Sequence, residues 1–335
     1  MREAVTTNAV DESWPMVEEA VFRMFDELAA KGTDEHFSIG PPLADLGWSD
    51  IESEYPIESC ELLFRAQGRS LLNSDSLDTV LLAELAPVLD GAVDGIVLPG
   101  IADGYRPGSD AEHVNGILLG PRPIGRIAVP VSNPKGQVSI GVVDTDSLEA
   151  KWLDTFDTSA YWTQVTGPMT GNLVDASAEW SNAIAAAHRA LATELVALAD
   201  QALRIAVEHV SVRIQFGAPI GSFQSPRHLL ADASAALEGA RALLSATWRY
   251  GGELSALTAK AAAGRAHRAV SDATLQVCGA IGLTIEHDLH RYVTRGFQID
   301  ALCGSYQQLE ALLANRLFAG DSTGQALPAV VSLTS

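Results

Sequence analysis

A guanidinium, two carboxamides and two aromatic rings stand close together in the segment 212–224, which reads Val-Arg-Ile-Gln-Phe-Gly-Ala-Pro-Ile-Gly-Ser-Phe-Gln. The side chain of Arg213 is a planar, permanently charged fork that matches the oxygens of a phosphate. Taken alone, Arg213 is more simply explained as a surface ion-pair residue. Helical patterns flank the segment on both sides, so the sequence predicts an anion site in a turn between two helices.

Residues 275–284 form a second segment, in which the backbone could contact a ligand. It reads Leu-Gln-Val-Cys-Gly-Ala-Ile-Gly-Leu-Thr and ends a predicted helix with Gly279 and Gly282. Glycine lets a ligand come close to the backbone, although a plain helix C-cap explains the same glycines. The segment is not a dinucleotide-binding fingerprint, because that pattern follows a strand and opens a helix.

The elements that must position these segments are helices at both ends of the chain and strands in the middle. Residues 13–89 have the apolar period of helices, and short runs bounded by Gly, Pro and Asn follow. From residue 175 a helix of about thirty residues begins a series of long, Ala-rich stripes. The predicted strands are 95–98, 116–119, 127–131 and 138–143, and the predicted helices include 77–86, 229–248, 254–277 and 306–318.

These patterns predict a mainly α protein with a β-rich middle domain. Long antiparallel helices with short loops are typical of a four-helix bundle. We expect a helical N-terminal domain over residues 1–91, a reduced β domain over 92–170 and a four-helix bundle over 171–335.

The charge balance excludes some classes of partner. The 335 residues include 22 Lys and Arg against 42 Asp and Glu, which gives a net charge of -20. Because a nucleic acid needs a basic surface, we expect no nucleic-acid partner. The start of the chain has no apolar signal and no apolar run could span a bilayer, which predicts a cytoplasmic protein without a membrane partner. Cys60, Cys278 and Cys303 lie far apart, so we expect no disulfide framework and no metal site.

Together, the two segments resemble the acyl-CoA dehydrogenase family. Its members carry Arg-x-x-Phe-Gly-x-x-Ile-x-x-Phe-Gln, here Arg213 to Gln224, and later Gln-x-x-Gly-Gly-x-Gly, here Gln276 to Gly282 with Ala280 in place of the second glycine. The segment 286–292 looks like the family's continuation, and 46–48 and 66–69 resemble weakened parts of its N-terminal domain. The order of helices and strands is similar to the family fold over nearly the whole chain.

The resemblance implies that both segments reach across a dimer interface to an FAD seated mainly in the neighbouring subunit. There they would hold the pyrophosphate and adenosine half of the cofactor. This expectation agrees with the physical chemistry, since the pyrophosphate is dianionic and Arg213 cannot lose its charge. The implied FAD contacts are Arg213, Gln215, Phe216, Phe223, Gln224, Gln276, Val277, Cys278, Gly279 and Ala280.

The residue that does the family's chemistry is missing from both of its known positions. In the family a Glu removes the α-proton of an acyl-CoA while a hydride passes from the β-carbon to the flavin. Where the family has Tyr-Glu-Gly-Thr, residues 302–305 read Leu-Cys-Gly-Ser, so Cys303 stands at the Glu position. The other position, 26 residues before the arginine, is Ala187. The resemblance therefore implies no catalytic residue in this chain.

Two residues near these positions could act as an unusual base. The thiol of Cys303 would need a cationic neighbour to lose its proton near neutral pH, and its nearest charge in the sequence is the anionic Asp300. His188, beside Ala187, has a suitable pKa range, but a single histidine on a helix is more often structural.

The middle domain also departs from the family. The loop that holds the flavin ring, Thr-Glu-Pro-x-x-Gly-Ser-Asp, is echoed only by Pro107 to Asp110, and Trp162-Thr163 lies too late in the chain to be the family's second ring-binding element. We therefore expect that this subunit does not seat its own flavin ring.

These features resemble the smaller, non-catalytic β subunit of α2β2 acyl-CoA dehydrogenases of actinobacteria. The resemblance implies that a homologous α subunit supplies the catalytic Glu and most of the acyl-CoA site. It implies a place in lipid metabolism, with steroid side-chain thioesters as substrates by analogy, and an electron-transfer flavoprotein or similar acceptor. A homo-oligomeric flavoenzyme with an unusual base, His188 or Cys303, and a structural homologue without a flavin role stay open.

Overall fold

The structure, a computed structural model, describes residues 12–32 and 36–318. Within these residues, helices at both ends of the chain enclose antiparallel sheets, which confirms the predicted fold class. No helix in the described ranges is long and apolar enough to cross a membrane.

The N-terminal part is a group of short helices with a core of its own. Prolines stand in the first turn of three of them, where a missing amide hydrogen costs nothing. Phe25 and Leu62 are fully buried between the first and fourth helices. The elements are α1 (Trp14–Ala29), β1 (His36–Phe37), α2 (Gly40–Asp45), α3 (Trp48–Glu54), α4 (Pro56–Ser70), β2 (Asn73–Ser74) and α5 (Ser76–Leu85).

The middle part contains two three-stranded antiparallel sheets, in the orders β3-β7-β6 and β4-β5-β8. Three of the predicted apolar runs fall within β3, β4 and β5, whereas the run 95–98 makes only isolated bridges. The sequence patterns missed β6, whose side chains are mostly exposed and polar, and β7. The strands are β3 (His113–Leu119), β4 (Arg126–Ser132), β5 (Val138–Asp144), β6 (Glu149–Leu153), β7 (Trp162–Pro168) and β8 (Val174–Asp175).

The C-terminal part is built around one helix of 36 residues, α6, which packs chiefly against α8 and α4. Alanines on its buried face allow close approach of the neighbouring helices. The sequence patterns did not predict α9. In this helix Gly296 leaves room for the ring of His267, since a Cβ atom on residue 296 would lie 1.9 Å from Nε2 of His267. The elements are α6 (Ser177–Val212), β9 (Ile214–Gln215), β10 (Ala218–Pro219), α7 (Gln224–Tyr250), α8 (Glu253–Cys278), α9 (Leu289–Asp300) and α10 (Tyr306–Phe318).

Candidate functional site

The Arg213 segment forms a tight hairpin between α6 and α7. β9 and β10 pair antiparallel, with Gln215 opposite Ala218, and the turn between them is Phe216-Gly217. Both turn residues have positive φ, 53° for Phe216 and 80° for Gly217. Two such residues in succession are typical of a type I′ turn, and the left-handed backbone costs a residue with a side chain roughly 1–2 kcal/mol.

The largest side chain of the hairpin, Phe216, is exposed to solvent. The ring of Phe216 is 94% exposed and meets the ring of Phe223 edge to face, with 6.2 Å between the centroids. Nearby Val212 and Ile214 are also exposed. A strained backbone that presents apolar side chains to solvent indicates a surface shaped for contact with another molecule.

The guanidinium of Arg213 is exposed and makes no hydrogen bond or ion pair with any described residue. The backbone of Arg213 is fixed, because its N–H donates to the carbonyl of His209 at 3.0 Å and its carbonyl accepts from Ile220 at 2.8 Å. Burial, the neighbouring His287 and the charge of Arg213 together lower the pKa of His209. Because the backbone of Arg213 is held in place and its guanidinium is exposed, the residue is suited to binding an anion from solvent.

The second segment ends α8 and continues as a short 3-10 turn, Gly279–Leu283. Gly279 has φ 66° and ψ -152°, a conformation that residues with a Cβ rarely adopt. Gln276, Gly279 and Ala280 are exposed and Val277 is half-buried, whereas the side chain of Cys278 is buried. Cys278 could therefore contact a surface ligand only through its backbone.

The structure brings the two segments to the same end of the bundle. His209 lies one helical turn before Arg213, and its donor nitrogen is within 4.8 Å of the Cys278 sulfur. Exposed apolar side chains surround both segments. We call this surface the clamp face; it comprises Arg213, Gln215, Gln224, Gln276, Gly279 and Ala280 with the apolar residues Val212, Ile214, Phe216, Phe223, Ile281, Leu283 and Ile285.

Ala187 and Cys303, the two positions at which the resemblance would place a base, are both buried. Ala187 is fully buried and Cys303 is 1% exposed. Nε2 of His188 donates to the carbonyl of Cys303 at 2.9 Å, so α6 is joined directly to the loop 301–305. Within the described residues, neither position offers a carboxylate.

A buried cation, missed in the sequence analysis, holds this loop. Nζ of Lys260, on α8, is fully buried and donates to the carbonyls of Asp300 at 2.8 Å and Gly304 at 3.1 Å and to the Asp300 carboxylate at 3.2 Å. Only the fold could reveal this contact, because 40 residues separate Lys260 from Asp300. We call Ala187, His188, Lys260, Asp300, Cys303 and Gly304 the base-position cluster.

Burial decides the protonation of both residues that could act as an unusual base. It raises the pKa of the Cys303 thiol to about 12, and the nearby Lys260 lowers that pKa only in part. Along the chain the charge nearest to Cys303 is the anionic Asp300, whereas in the structure the cationic Lys260 is the charge that acts on the thiol. The thiol nevertheless stays protonated at neutral pH. Burial also lowers the pKa of His188 to about 4, which leaves a neutral ring whose Nδ1 has no partner among the described residues.

The residues weighed as flavin-ring elements have structural roles. Trp162 begins β7 and is buried in the main core, and the hydroxyl of Thr163 donates to the carbonyl of Gly120 at 2.7 Å. In the Pro107–Asp110 stretch, Ser109 bonds the backbone of Asn115 through its hydroxyl. These contacts tie strands to each other and do not leave the side chains free for a ligand.

Two cavities lie near the middle part of the chain. A cavity of about 280 Å³ is lined by Trp162 and by Phe156 and Phe297. A larger cleft of about 670 Å³ lies between the β4–β5 turn and the start of α6, with the exposed cations Arg106 and Lys135 on its rim. This cleft was not predictable from the sequence, because its walls come from segments far apart in the chain.

Residues 181–316 match the family model described as acyl-CoA dehydrogenase, C-terminal domain. A curated relative from Mycobacterium tuberculosis, acyl-CoA dehydrogenase IpdE2, is 36% identical over 121 residues, which cover 36% of this chain and 36% of that protein. The matched stretch thus spans about a third of that relative's length.

The fold is similar over a longer stretch. A chain of the Tcur3481-Tcur3483 steroid ACAD, solved as a variant, has a TM-score of 0.74 and 21% identity, covering 91% of this chain and 97% of that one. A chain of the ChsE4-ChsE5 complex from Mycobacterium tuberculosis has a TM-score of 0.73 and 17% identity, covering 94% of this chain and 99% of that one. At these identities the likeness shows the fold.

Proposed function

We propose that this chain, a member of the acyl-CoA dehydrogenase family by its C-terminal domain and its fold, is the non-catalytic subunit of a heteromeric, FAD-dependent acyl-CoA dehydrogenase. In this role the clamp face completes an FAD site across a subunit interface. A homologous partner subunit supplies the catalytic glutamate, the flavin-ring site and most of the acyl-CoA site.

The observation that carries this proposal is that both positions at which the family carries its base are buried and lack a carboxylate. Ala187 and Cys303 are buried and offer no carboxylate, and Lys260 donates hydrogen bonds to the carbonyls of Asp300 and Gly304 at the two ends of the loop. A base must come within about 2.6–3.2 Å of the proton it removes. The fully buried, neutral thiol and imidazole of this cluster offer no such approach to a substrate.

The residues of the clamp face fit the anionic half of FAD. The unpartnered guanidinium of Arg213 would bind the pyrophosphate, and the exposed backbone at Gly279 and Ala280 allows close approach to its oxygens. The side chain of Phe216 offers an aromatic face, and the amides of Gln215 and Gln276 offer donors and acceptors at the edge. FAD, when bound, supplies hydride acceptance for the desaturation of an acyl-CoA.

The same surface fits a subunit interface. Exposed apolar side chains lie in and next to the segments of Arg213 and Gly279–Leu283, and Phe216 is the most exposed of them. Patches of this kind mark sites of protein association. Two structures with this fold are described as the ChsE4-ChsE5 complex and the Tcur3481-Tcur3483 steroid ACAD, which supports pairing with a second kind of subunit and a steroid-derived substrate. We further propose an α2β2 arrangement and a steroid side-chain CoA thioester as the substrate.

Co-purification tests the proposal. The chain is purified alone and together with a homologous subunit that carries the glutamate, and both samples are assayed for bound flavin and for acyl-CoA desaturation with an electron-transfer flavoprotein or an artificial acceptor. The expected result is colourless, inactive protein from the chain alone and a yellow, active complex from the pair. A yellow preparation of the chain alone that desaturates an acyl-CoA contradicts the proposal.

One observation favours a second candidate, a homo-oligomeric flavoenzyme of the same fold. The cleft of about 670 Å³, with Arg106 and Lys135 at its rim, is within the volume range of small-molecule sites. Equilibrium dialysis of the chain alone with an acyl-CoA separates the two candidates. Binding that is lost in an Arg106→Ala, Lys135→Ala double variant, together with bound FAD, would favour the homo-oligomer.

A further inference from the structure

Three metal-ligating side chains from separate parts of the chain meet beside the clamp face. They are His209 in the last turn of α6, Cys278 at the end of α8 and His287 in the turn before α9. Their donor atoms all lie within 4.8 Å of one another. The rings of His209 and His287 stand edge to face with 5.9 Å between centroids.

We infer that His209, Cys278 and His287 form a zinc site, with one sulfur and two nitrogen ligands. A thiolate and two imidazoles are a donor set that zinc prefers over magnesium or calcium, which take oxygen ligands. The sulfur lies on the buried side, and both histidines are partly exposed. This arrangement leaves the fourth tetrahedral position open to solvent. The site does not depend on the proposed function, and the sequence analysis predicted no metal.

The cluster must contract to reach tetrahedral geometry. Zinc–sulfur bonds of about 2.3 Å and zinc–nitrogen bonds of about 2.0–2.1 Å place ligand atoms about 3.3–3.6 Å apart. His287 follows the exposed turn Gly279–Leu283 and is therefore the ligand best able to move inward. Its Nδ1 now accepts the backbone N–H of Leu289 at 3.3 Å. Binding through Nε2 would protonate Nδ1, so this long hydrogen bond is the contact that zinc binding must break.

Backbone electrostatics favour a cation at this place. Two helices, α6 and α8, end here, at Val212 and Cys278, and the carbonyl end of a helix carries partial negative charge. The charge of Arg213 acts in the opposite direction, because it is close enough to lower the pKa of His209. The Arg213 side chain is exposed, so water and salt screen much of its charge.

A bound zinc would fasten the exposed turn Gly279–Leu283 to the end of α6. The two segments of the clamp face would then be held by a metal bond as well as by packing. This assignment gives Cys278 a role that its buried side chain could not have as a direct surface contact.

Cobalt(II) titration of the untagged, full-length chain tests this inference without depending on a variant. Metal-free protein is titrated with Co²⁺ and then with Zn²⁺. We expect one equivalent of Co²⁺ to give visible d–d bands and a thiolate charge-transfer band in the near ultraviolet, and Zn²⁺ to remove both. A wild-type titration without a charge-transfer band overturns the site.

Variants assign the ligands. Cys278→Ser should abolish the charge-transfer band, and His287→Ala should weaken Zn²⁺ binding by at least about 100-fold, since even outer-sphere substitutions cost 10–100-fold. His228→Ala, an exposed histidine of α7, and Cys60→Ser serve as matched controls and should leave binding unchanged. Circular dichroism establishes that each variant is folded. Equal zinc affinity in folded His287→Ala, or retention of the band in folded Cys278→Ser, contradicts the inference.

Discussion

The clamp face and the base-position cluster lie at different places in the same bundle and are built in opposite ways. At the clamp face a left-handed Phe216 presents its ring to solvent and the guanidinium of Arg213 has no described partner. In the base-position cluster, Lys260 is fully buried and its ammonium makes three hydrogen bonds. The charged and aromatic groups of the first region are exposed, whereas the ammonium in the second is bonded entirely within the chain.

This difference indicates where each region finds its partners. Polar groups in a stable interior are paired, because leaving one unpaired costs about 1–3 kcal/mol. In the base-position cluster the ammonium of Lys260 is paired with oxygens of Asp300 and Gly304, so these contacts contribute to the stability of the isolated chain. At the clamp face the unpartnered groups are exposed to solvent, which is where the proposed function places a cofactor and a second subunit. The predictions below separate effects on folding from effects on assembly.

The largest expected effect is on folding and comes from Lys260→Met. Removal of the ammonium leaves the largely buried carboxylate of Asp300 without its ion-pair partner and the carbonyl of Gly304 without a donor. Breaking one side of a buried ion pair costs about 3–5 kcal/mol of unfolding free energy. Urea denaturation of the isolated chain measures this loss. Arg204→Ala, which removes the exposed pair Arg204–Glu208, is the control and should cost less than about 1 kcal/mol. Equal losses of unfolding free energy in Lys260→Met and Arg204→Ala would contradict a stabilising role of the buried Lys260 ion pair.

The next effect is on the cofactor and comes from Arg213→Ala. Because the side chain is exposed and unpartnered within the described residues, the unfolding free energy of the isolated chain should stay within about 0.5 kcal/mol of wild type. In the assembled complex, FAD binding should weaken by about 1.5–3 kcal/mol, the range of hydrogen bonds to charged groups. Fluorescence titration of the flavin-free complex measures the affinity. Arg204→Ala again serves as control, and unchanged FAD affinity in Arg213→Ala would sink the role of this residue.

A smaller effect is expected on assembly from Phe216→Ala. The ring is almost fully exposed in the isolated chain, so its loss should hardly change folding, whereas a buried aromatic anchor at an interface contributes about 1–2 kcal/mol or more to association. Analytical ultracentrifugation of the two-subunit mixture measures the dissociation constant. Ile124→Ala is a matched control, since Ile124 is 95% exposed in the middle part of the chain, away from the clamp face. A dissociation constant that shifts equally in both variants would argue against the hairpin as an anchor.

The smallest effect is expected from Cys303→Ala in the assembled enzyme. The thiol is buried and burial raises its pKa to about 12, so it carries no charge at neutral pH. We expect kcat for desaturation to remain within about twofold of wild type, a change below about 0.4 kcal/mol in barrier height. A thousandfold loss of kcat with folding unchanged would instead identify Cys303 as a base and favour the homo-oligomeric alternative.

The sequence predicted the helical bundle well because its apolar stripes are long and regular. Helix α10 begins at the predicted residue, and α8 differs from its prediction by one residue at each end. Strand β6 escaped prediction because exposed side chains such as Glu149 and Lys151 leave it no apolar run. Helix α9 escaped it because the helix is short and rich in polar residues, some of which, such as Arg295 and Gln298, are buried.

The candidate site was predictable to a lesser degree. The Arg213 segment was visible because its residues are contiguous, and contiguous residues need no fold to bring them together. The contact of His188 with Cys303 spans 115 positions, and the contacts of Lys260 with the 300–304 loop span 40 to 44. Such contacts depend on which helices pack together, which composition and periodicity do not specify. The cluster of His209, Cys278 and His287 escaped for the same reason.

The FAD content of the purified two-subunit complex tests the central claim most directly. If this chain clamps a neighbour's cofactor and seats no flavin ring itself, the complex should contain one FAD for each pair of chains, measured by absorbance of the released flavin against protein mass. The Arg213→Ala complex should lose that flavin on dilution more readily than wild type. Two FAD molecules for each pair of chains, or one FAD bound by this chain alone, would contradict the account.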